Sequence, residues 1–265
     1  MRVFISADIE GVTTSTRWEE TDSNNAAYRL HAEQMTKEVL AACEGAIAAG
    51  ATYIVVKDAH GGGYNIDPTR LPKEVVLIRG NWGHPDSMVS GIDGSFDAAM
   101  FVGYHGAALR SGNPMSHTIS GRHTGIFIND RRASEFMLFS LAAARYGVPT
   151  VFLAGDKMLC EDYADLHPKL ITVAVKDGIG GATFNRSVEA TIPEIRAQSE
   201  KALRQDLTTA KITLPEKFEV KITYKEHVTA ERSSHYPGVT KLDDVTVAFS
   251  HTDYFEILRT IRWII

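Results

Sequence analysis

Cysteine is scarce in this 265-residue chain: Cys43 and Cys160 are the only two and form no CxxC pair. That excludes a disulfide framework and a four-sulfur metal site, and both residues read as small buried hydrophobes in a reducing compartment. A basic excess is also missing. With 28 Lys and Arg against 33 Asp and Glu the formal net charge is −5, which argues against a nucleic-acid partner held by bulk charge. No apolar run approaches the roughly 20 residues that span a bilayer; the nearest covers residues 136–144. Asp8 and Glu10 interrupt any signal-peptide-like apolar core near the start, so a cytoplasmic protein without a membrane partner is expected. Neither GxGxxG nor GxxxxGK[ST] nor GxSxG occurs, which sets aside a nucleotide loop and a serine-hydrolase elbow despite the run His60-Gly61-Gly62-Gly63.

Hydrophobic residues make up 44% of the chain and charged residues 23%, the usage of an ordinary globular protein and not of a disordered one. Residues 2–7 are apolar and β-branched or aromatic at the centre, then stop at acids and Gly11, the pattern of a buried strand. Residues 26–50 switch to helical spacing through Met35, Val39, Ala42, Cys43, Ala46 and Ile47, with Gly50 as C-cap, and residues 52–56 form the next strand. Strand, helix, strand in this order is a crossover unit of a parallel sheet. Further strands are expected at 75–78, 98–104, 148–154 and 171–175, helices at 134–146 and 187–207, and a hairpin turn at Asn129-Asp130. Beyond about residue 211, short strands at 218–224 and 245–249 and a closing apolar helix at 254–264 suggest a different layout. The expectation is an α/β fold: a mainly parallel sheet flanked by helices over residues 1–210, and a smaller α+β part over 211–265.

Three of the expected strands run out into metal-ligand types: Asp8 and Glu10, then Asp58 and His60, then His105. Side chains alternate along a strand, so each of the first two pairs faces one way, and the C-terminal strand ends of an open parallel sheet line its binding crevice. Singly, each residue has an ordinary reading, Asp8 as a turn former, for example. Together, carboxylates gathered at strand ends would repel one another without a cation. Imidazole with carboxylate suits zinc, manganese or cobalt. Three carboxylates and two histidines fit two divalent ions, since one hydroxide then balances the charge and is the nucleophile a hydrolase needs. A second cluster follows in Asn113, His117, Arg122-His123, residues 128–131 and Glu135. Asn113-Pro114 also reads as a turn, and Glu135 as an acid complementing a helix N-terminus. His31 and His167 belong to no cluster.

The runs Ser6-Ala7-Asp8-Ile9-Glu10-Gly11, Lys57-Asp58-Ala59-His60, Gly103-Tyr104-His105, Met115-Ser116-His117 and Ile128-Asn129-Asp130-Arg131, followed by Glu135, resemble the bacterial zinc D-aminopeptidases associated with dipeptide-transport operons. Ala154-Gly155-Asp156 and Ala174-Val175-Lys176 extend the resemblance over residues 1–190. It implies two zinc ions held by Asp8, Glu10, His60, His105 and Glu135, with Asp8 or Glu10 bridging, and His117 as the catalytic histidine. Asp58 is then expected behind His60, orienting its ring, and Asn113 as a supporting or substrate-touching residue. It further implies a short-peptide substrate with an N-terminal D-amino acid such as D-alanine. The expected assembly is a homodecamer of two stacked pentameric rings around an internal chamber. Gly61-Gly62-Gly63, Ala133-Ser134 and Lys157 depart from the family pattern; the first lies beside a ligand and bears on specificity. From the residues alone, a two-metal hydrolase of another amide or phosphate ester and a non-catalytic ring protein with a structural metal stay open.

Overall fold

The computed structural model describes residues 1–265. Its larger sheet has seven strands: β1 (Arg2–Ala7), β2 (Tyr53–Asp58), β3 (Val75–Ile78), β4 (Ala98–Tyr104), β7 (Thr150–Asp156), β8 (Ile171–Ile179) and β9 (Ala182–Asn185). They lie in the order β3-β2-β1-β4-β7-β8-β9. All pairings are parallel except β8 with β9, a hairpin the sequence pattern did not suggest. Period-2 alternation sorts β1 between two cores. Val3, Ile5 and Ala7 pack beneath α1 (Tyr28–Ala48) and α4 (Val188–Leu203), while Phe4 joins the opposite core.

That opposite core explains why α2 (Glu135–Arg145) is apolar on nearly every side: Glu135 to Ala143 are all buried. One face meets the parallel sheet, where Phe136 packs edge-on against Phe101 at 5.2 Å between ring centres. The other is covered by α6 (Tyr254–Ile264), whose Tyr254 hydroxyl donates to the Leu138 carbonyl at 2.9 Å. Behind α6 lies a five-stranded sheet of β5 (His123–Ile128), β6 (Arg131–Arg132), β10 (Phe218–Tyr224), β11 (Thr240–Lys241) and β12 (Thr246–His251). Its order is β11-β12-β10-β5-β6, with every pairing antiparallel. The expected turn joins β5 to β6: Asn129 and Asp130 both have positive φ, 49° and 62°, the left-handed pair that a two-residue hairpin requires. Its strands pair through β5 with β10, so this sheet draws its members from both sides of residue 211. Two short helices, α3 (Lys157–Asp162) and α5 (His227–Ser234), complete the fold. No helix is long and apolar enough to cross a membrane.

The ends of β1, β2 and β4 are level, with Ala7 opposite both Asp58 and Val102. The turns that follow lie so close that only glycine fits. A Cβ on Gly11 would fall 1.8 Å from the Tyr104 carbonyl oxygen, and one on Gly103 2.2 Å from that of Asp8. Gly103 also has φ of +74°, which other residues rarely adopt.

Candidate metal centre

Asp8 and Glu10 leave the end of β1, His105 follows β4, Glu135 opens α2, and all four are buried. Glu135 reaches its place because Ser134 caps α2, its hydroxyl accepting from Met137 N at 3.1 Å. His60 comes from the loop after β2 and is half-buried. Its Nδ1 lies 3.4 Å from Asp8 Oδ1 and 3.0 Å from Glu10 Oε2. On the other side, His105 Nε2 lies 3.4 Å from Asp8 Oδ2 and 3.3 Å from Glu135 Oε2. Asp8 thus faces a different histidine with each of its oxygens. His117 stacks on His105, ring centres 4.4 Å apart and 11° from parallel, with its Nε2 3.5 Å from Glu135 Oε1. Trp18 closes over His117 edge-on at 5.1 Å.

The far nitrogen of each imidazole is fixed by a backbone carbonyl. Thr21 O accepts from His60 Nε2 at 2.9 Å, Gly106 O from His105 Nδ1 at 3.0 Å, and Met115 O from His117 Nδ1 at 3.0 Å. A carbonyl only accepts, so that nitrogen must carry the proton, and in the neutral ring the other presents a lone pair to the carboxylates. Lone pairs facing carboxylates make no hydrogen bonds. Asp8 Oδ2, Glu10 Oε2 and His105 Nε2 are buried without a partner, although buried polar atoms are normally satisfied. Ligand atoms of Asp8, Glu10 and His105 all lie within 4.8 Å of one another, as do those of His105, His117 and Glu135. A divalent cation satisfies such a donor set, and histidine ligands commonly donate their second ring nitrogen to a carbonyl in this way.

Protonation tells the same story. Burial, with Glu10 beside it, pushes the Asp8 carboxyl up to about 8. Burial alone would lower the two histidines, but Glu10 and Asp8 override it to raise His60 to about 12, and Glu135 overrides it to raise His105 to about 10. Against their own burial, Glu10 is held well below the usual carboxylate range by His60, and Glu135 is lowered by His105. In the metal-free chain, protons supply the positive charge that the carboxylates need.

Asp58 does not touch the His60 ring. β2 ends at Asp58, so the strand alternation that would have turned both side chains the same way stops there. Asp58 instead accepts from Asn65 N at 2.6 Å, Asn65 Nδ2 at 2.7 Å and Ile66 N at 2.8 Å, while Asn65 Nδ2 also donates to His60 O at 2.8 Å. It shapes the loop that carries His60. Asn113 is buried and steadies Glu10 from behind, donating to Glu10 O at 2.9 Å and to Asp156 Oδ2 at 3.2 Å.

Three participants were not assigned roles from sequence. Lys176, buried in β8, donates to the Glu10 and Ser15 carbonyls at 2.5 Å each, and burial pulls its ammonium down to about 8. Asp156, at the end of β7, accepts from Gly106 N at 2.7 Å and so fixes the backbone beside His105. Both sit in runs that carried the family resemblance, which was the available signal. Arg262 of α6 lines the cleft and had no signal, because it lies far along the chain from every motif. His123, adjacent in sequence to the second cluster, turns to the Thr118 carbonyl at 2.6 Å and does not face the carboxylates.

Asp8, Glu10, His60, His117 and Glu135 line a cleft of about 810 Å³, within the range of small-molecule sites. A family model described as Peptidase M55, D-aminopeptidase, matches residues 1–263. A D-aminopeptidase from Bacillus subtilis strain 168 is 30% identical over 258 residues, covering 97% of this chain and 93% of the relative. A solved structure, described as a Zn-dependent D-aminopeptidase from Bacillus subtilis and a self-compartmentalizing protease, superposes with a TM-score of 0.93. It is 28% identical, over 100% of this chain and 96% of that one.

Proposed function

We propose that this chain, which belongs to the M55 family of D-aminopeptidases, is a dinuclear zinc aminopeptidase. It would remove the N-terminal residue, a D-amino acid such as D-alanine, from short peptides or amides. The observation that carries this reading is Asp8, each of whose oxygens faces a different histidine already held in the ligand tautomer. Asp8, Glu10 and His60 would hold one ion, and Asp8, His105 and Glu135 the other, so that Asp8 would be the carboxylate common to both. Zinc is the ion that the similar Bacillus subtilis structure points to; manganese or cobalt would suit the same donors. Bound there, two divalent ions would activate a water for attack and polarise the scissile carbonyl.

His117 does the proton work in this reading. Its Nδ1–H is spent on the Met115 carbonyl, so a neutral His117 offers only an acceptor at Nε2. It can take a proton from the attacking water and then, as the imidazolium, return it to the leaving amine. A donor role toward the developing oxyanion begins only after that first transfer. Stacking on His105 and the cover of Trp18 hold the ring in place. The self-compartmentalizing relative supports a homo-oligomer, and a decamer of two pentameric rings is the form we propose. Residues 1–210 would then be the metal-binding catalytic part, and 211–265 a subdomain that packs on α2 and completes the sheet begun by β5 and β6.

The test is a panel of D- and L-aminoacyl amides and short peptides, free or blocked at the amine, assayed with zinc, manganese or cobalt. Hydrolysis of free-amine D-substrates is expected. Cleavage of blocked peptides in preference to free-amine ones would replace the aminopeptidase reading with a general amidase.

A further inference from the structure

The cleft's charge is lopsided. Asp8, Glu10, Glu19, Asp22 and Glu135 line it, and Arg262 is its single Lys or Arg. Arg262 comes from the last turn of α6 and is exposed, with no ion pair or side-chain hydrogen bond inside the chain. Arg259, on the preceding turn, is by contrast paired with Glu256. An arginine in a final turn can serve merely to complement the helix dipole. Here the last helical carbonyl is already satisfied: the Tyr224 and Ser233 hydroxyls both donate to Ile264 O, at 2.9 Å and 3.0 Å.

The same contacts fix the helix that carries Arg262. α6 is anchored through Tyr254, Ile257, Leu258, Ile261 and Ile264, all buried. Beside Arg262 on the wall of the cleft stand Ser87 and Ile119, both in the left-handed region with φ of 42° and 66°. Ile119 is β-branched, for which that conformation is costly, and such cost concentrates at functional sites. Ile119 N donates to Glu135 Oε1 at 2.5 Å, so one strained residue joins the carboxylate at the centre to the wall that carries the arginine.

A short peptide cut at its first bond carries a free carboxylate at its other end. With Asp8, Glu10 and Glu135 engaged as ligands, that carboxylate meets two remaining acids, Glu19 and Asp22, and one unpaired guanidinium. We propose that Arg262 is a specificity-determining residue that takes the substrate's C-terminal carboxylate, and so selects short peptides with a free acid end over capped or longer ones. This rests on the aminopeptidase reading above, and it gives the C-terminal helix a direct part in substrate choice.

The experiment compares kcat/KM for a D-alanyl dipeptide and for its C-terminal amide in the wild type, Arg262→Gln and Arg262→Lys, with metal content measured in each. The wild type is expected to favour the acid. In Arg262→Gln the acid-to-amide ratio should fall about 10- to 100-fold, mainly through KM, as befits loss of a charge-assisted pair. Arg262→Lys should restore part of the ratio, since it keeps the charge without the fork. An acid-to-amide ratio near one in the wild type, or one unmoved by Arg262→Gln, overturns the assignment while leaving the aminopeptidase intact. An equal fall on both substrates at unchanged metal content also overturns it. A wild type that cleaves neither substrate with any of the three metals instead overturns the underlying reading.

Discussion

Three histidines bury ring nitrogens without hydrogen-bond partners, and two of them, His105 and His167, differ most in what those nitrogens face. At the strand ends, His105 Nε2 looks at Asp8 and Glu135 from 3.4 Å and 3.3 Å, and the carboxylates raise it to about 10. In the connection between α3 and β8, both nitrogens of His167 are partnerless, with Phe136 at 5.9 Å. Burial, with Arg131 adding to it, lowers His167 to about 4. The same missing hydrogen bond has opposite meanings. Where unpartnered acceptors converge from several elements, the structure is arranged around a positive charge; where one imidazole faces hydrocarbon, the fold carries a desolvation cost with no return.

The sharpest break of that comparison is Asp8→Ala against His117→Ala. If Asp8 bridges, its loss should remove both ions and depress kcat by more than the roughly 10- to 100-fold typical of residues that only support a ligand. His117→Ala should keep both ions and lose about 100-fold or more, the scale of general acid–base catalysis. Metal analysis beside the rates separates them. Ion loss in the His117 variant would make it a ligand through Nε2, and two ions retained in the Asp8 variant would pass the bridging role to Glu10.

Chelation sharpens the comparison further, because protons and metal compete for the same atoms. His60 and His105, raised to about 12 and about 10 from an ordinary 6.5, stabilise the metal-free fold fully below pH 6.5 and lose that contribution as pH rises through those values. Asp8, raised to about 8 from 3.8, favours the metal-free fold below pH 3.8 and weakens it as pH rises through 8. All three shifts run the same way, so metal-free stability should decline from pH 6 to 9 while ion affinity rises. The increase in Tm produced by added zinc should therefore grow over that window. A zinc-induced shift that stays constant with pH would show that these groups are not the site of binding.

Much of this was legible in the sequence, for a local reason. Parallel strands buried on both faces read as apolar runs, and the residues that end them identify the crevice, so Asp8, Glu10, His60 and His105 could be grouped by their positions along the chain. Asp58 was legible as part of the group, but its contacts were not. Where β2 stops, period-2 logic stops with it, and the loop of residues 59–66 turns the carboxylate toward Asn65 and Ile66. β9 and α5 went unnoticed because four-residue and eight-residue elements with exposed faces carry little periodicity. Arg262 was invisible because it reaches the cleft only through the packing of α6 on α2, a tertiary fact with no local trace.

The smallest effect tests the hydrocarbon side of the comparison. His167 is about 1% exposed, and its pKa of about 4 lies below the 6.5 of the unfolded chain. A base depressed in the folded state contributes stability that is present above pH 6.5 and is lost as pH falls through 4, because the unfolded chain then binds a proton that the fold refuses. The loss amounts to about 3 kcal/mol at most. His167→Leu, close in volume, removes both unpartnered nitrogens and the titration. It should leave kcat unchanged, add about 1 kcal/mol at pH 7.5, and widen its advantage over the wild type as pH falls from 6.5 to 4. Measuring both proteins in chelator cancels the strand-end groups, which they share, so the difference reports His167 alone. A difference that stays flat across that range would mean that the imidazole finds a proton acceptor when charged, and the contrast between the two regions would shrink to one of degree.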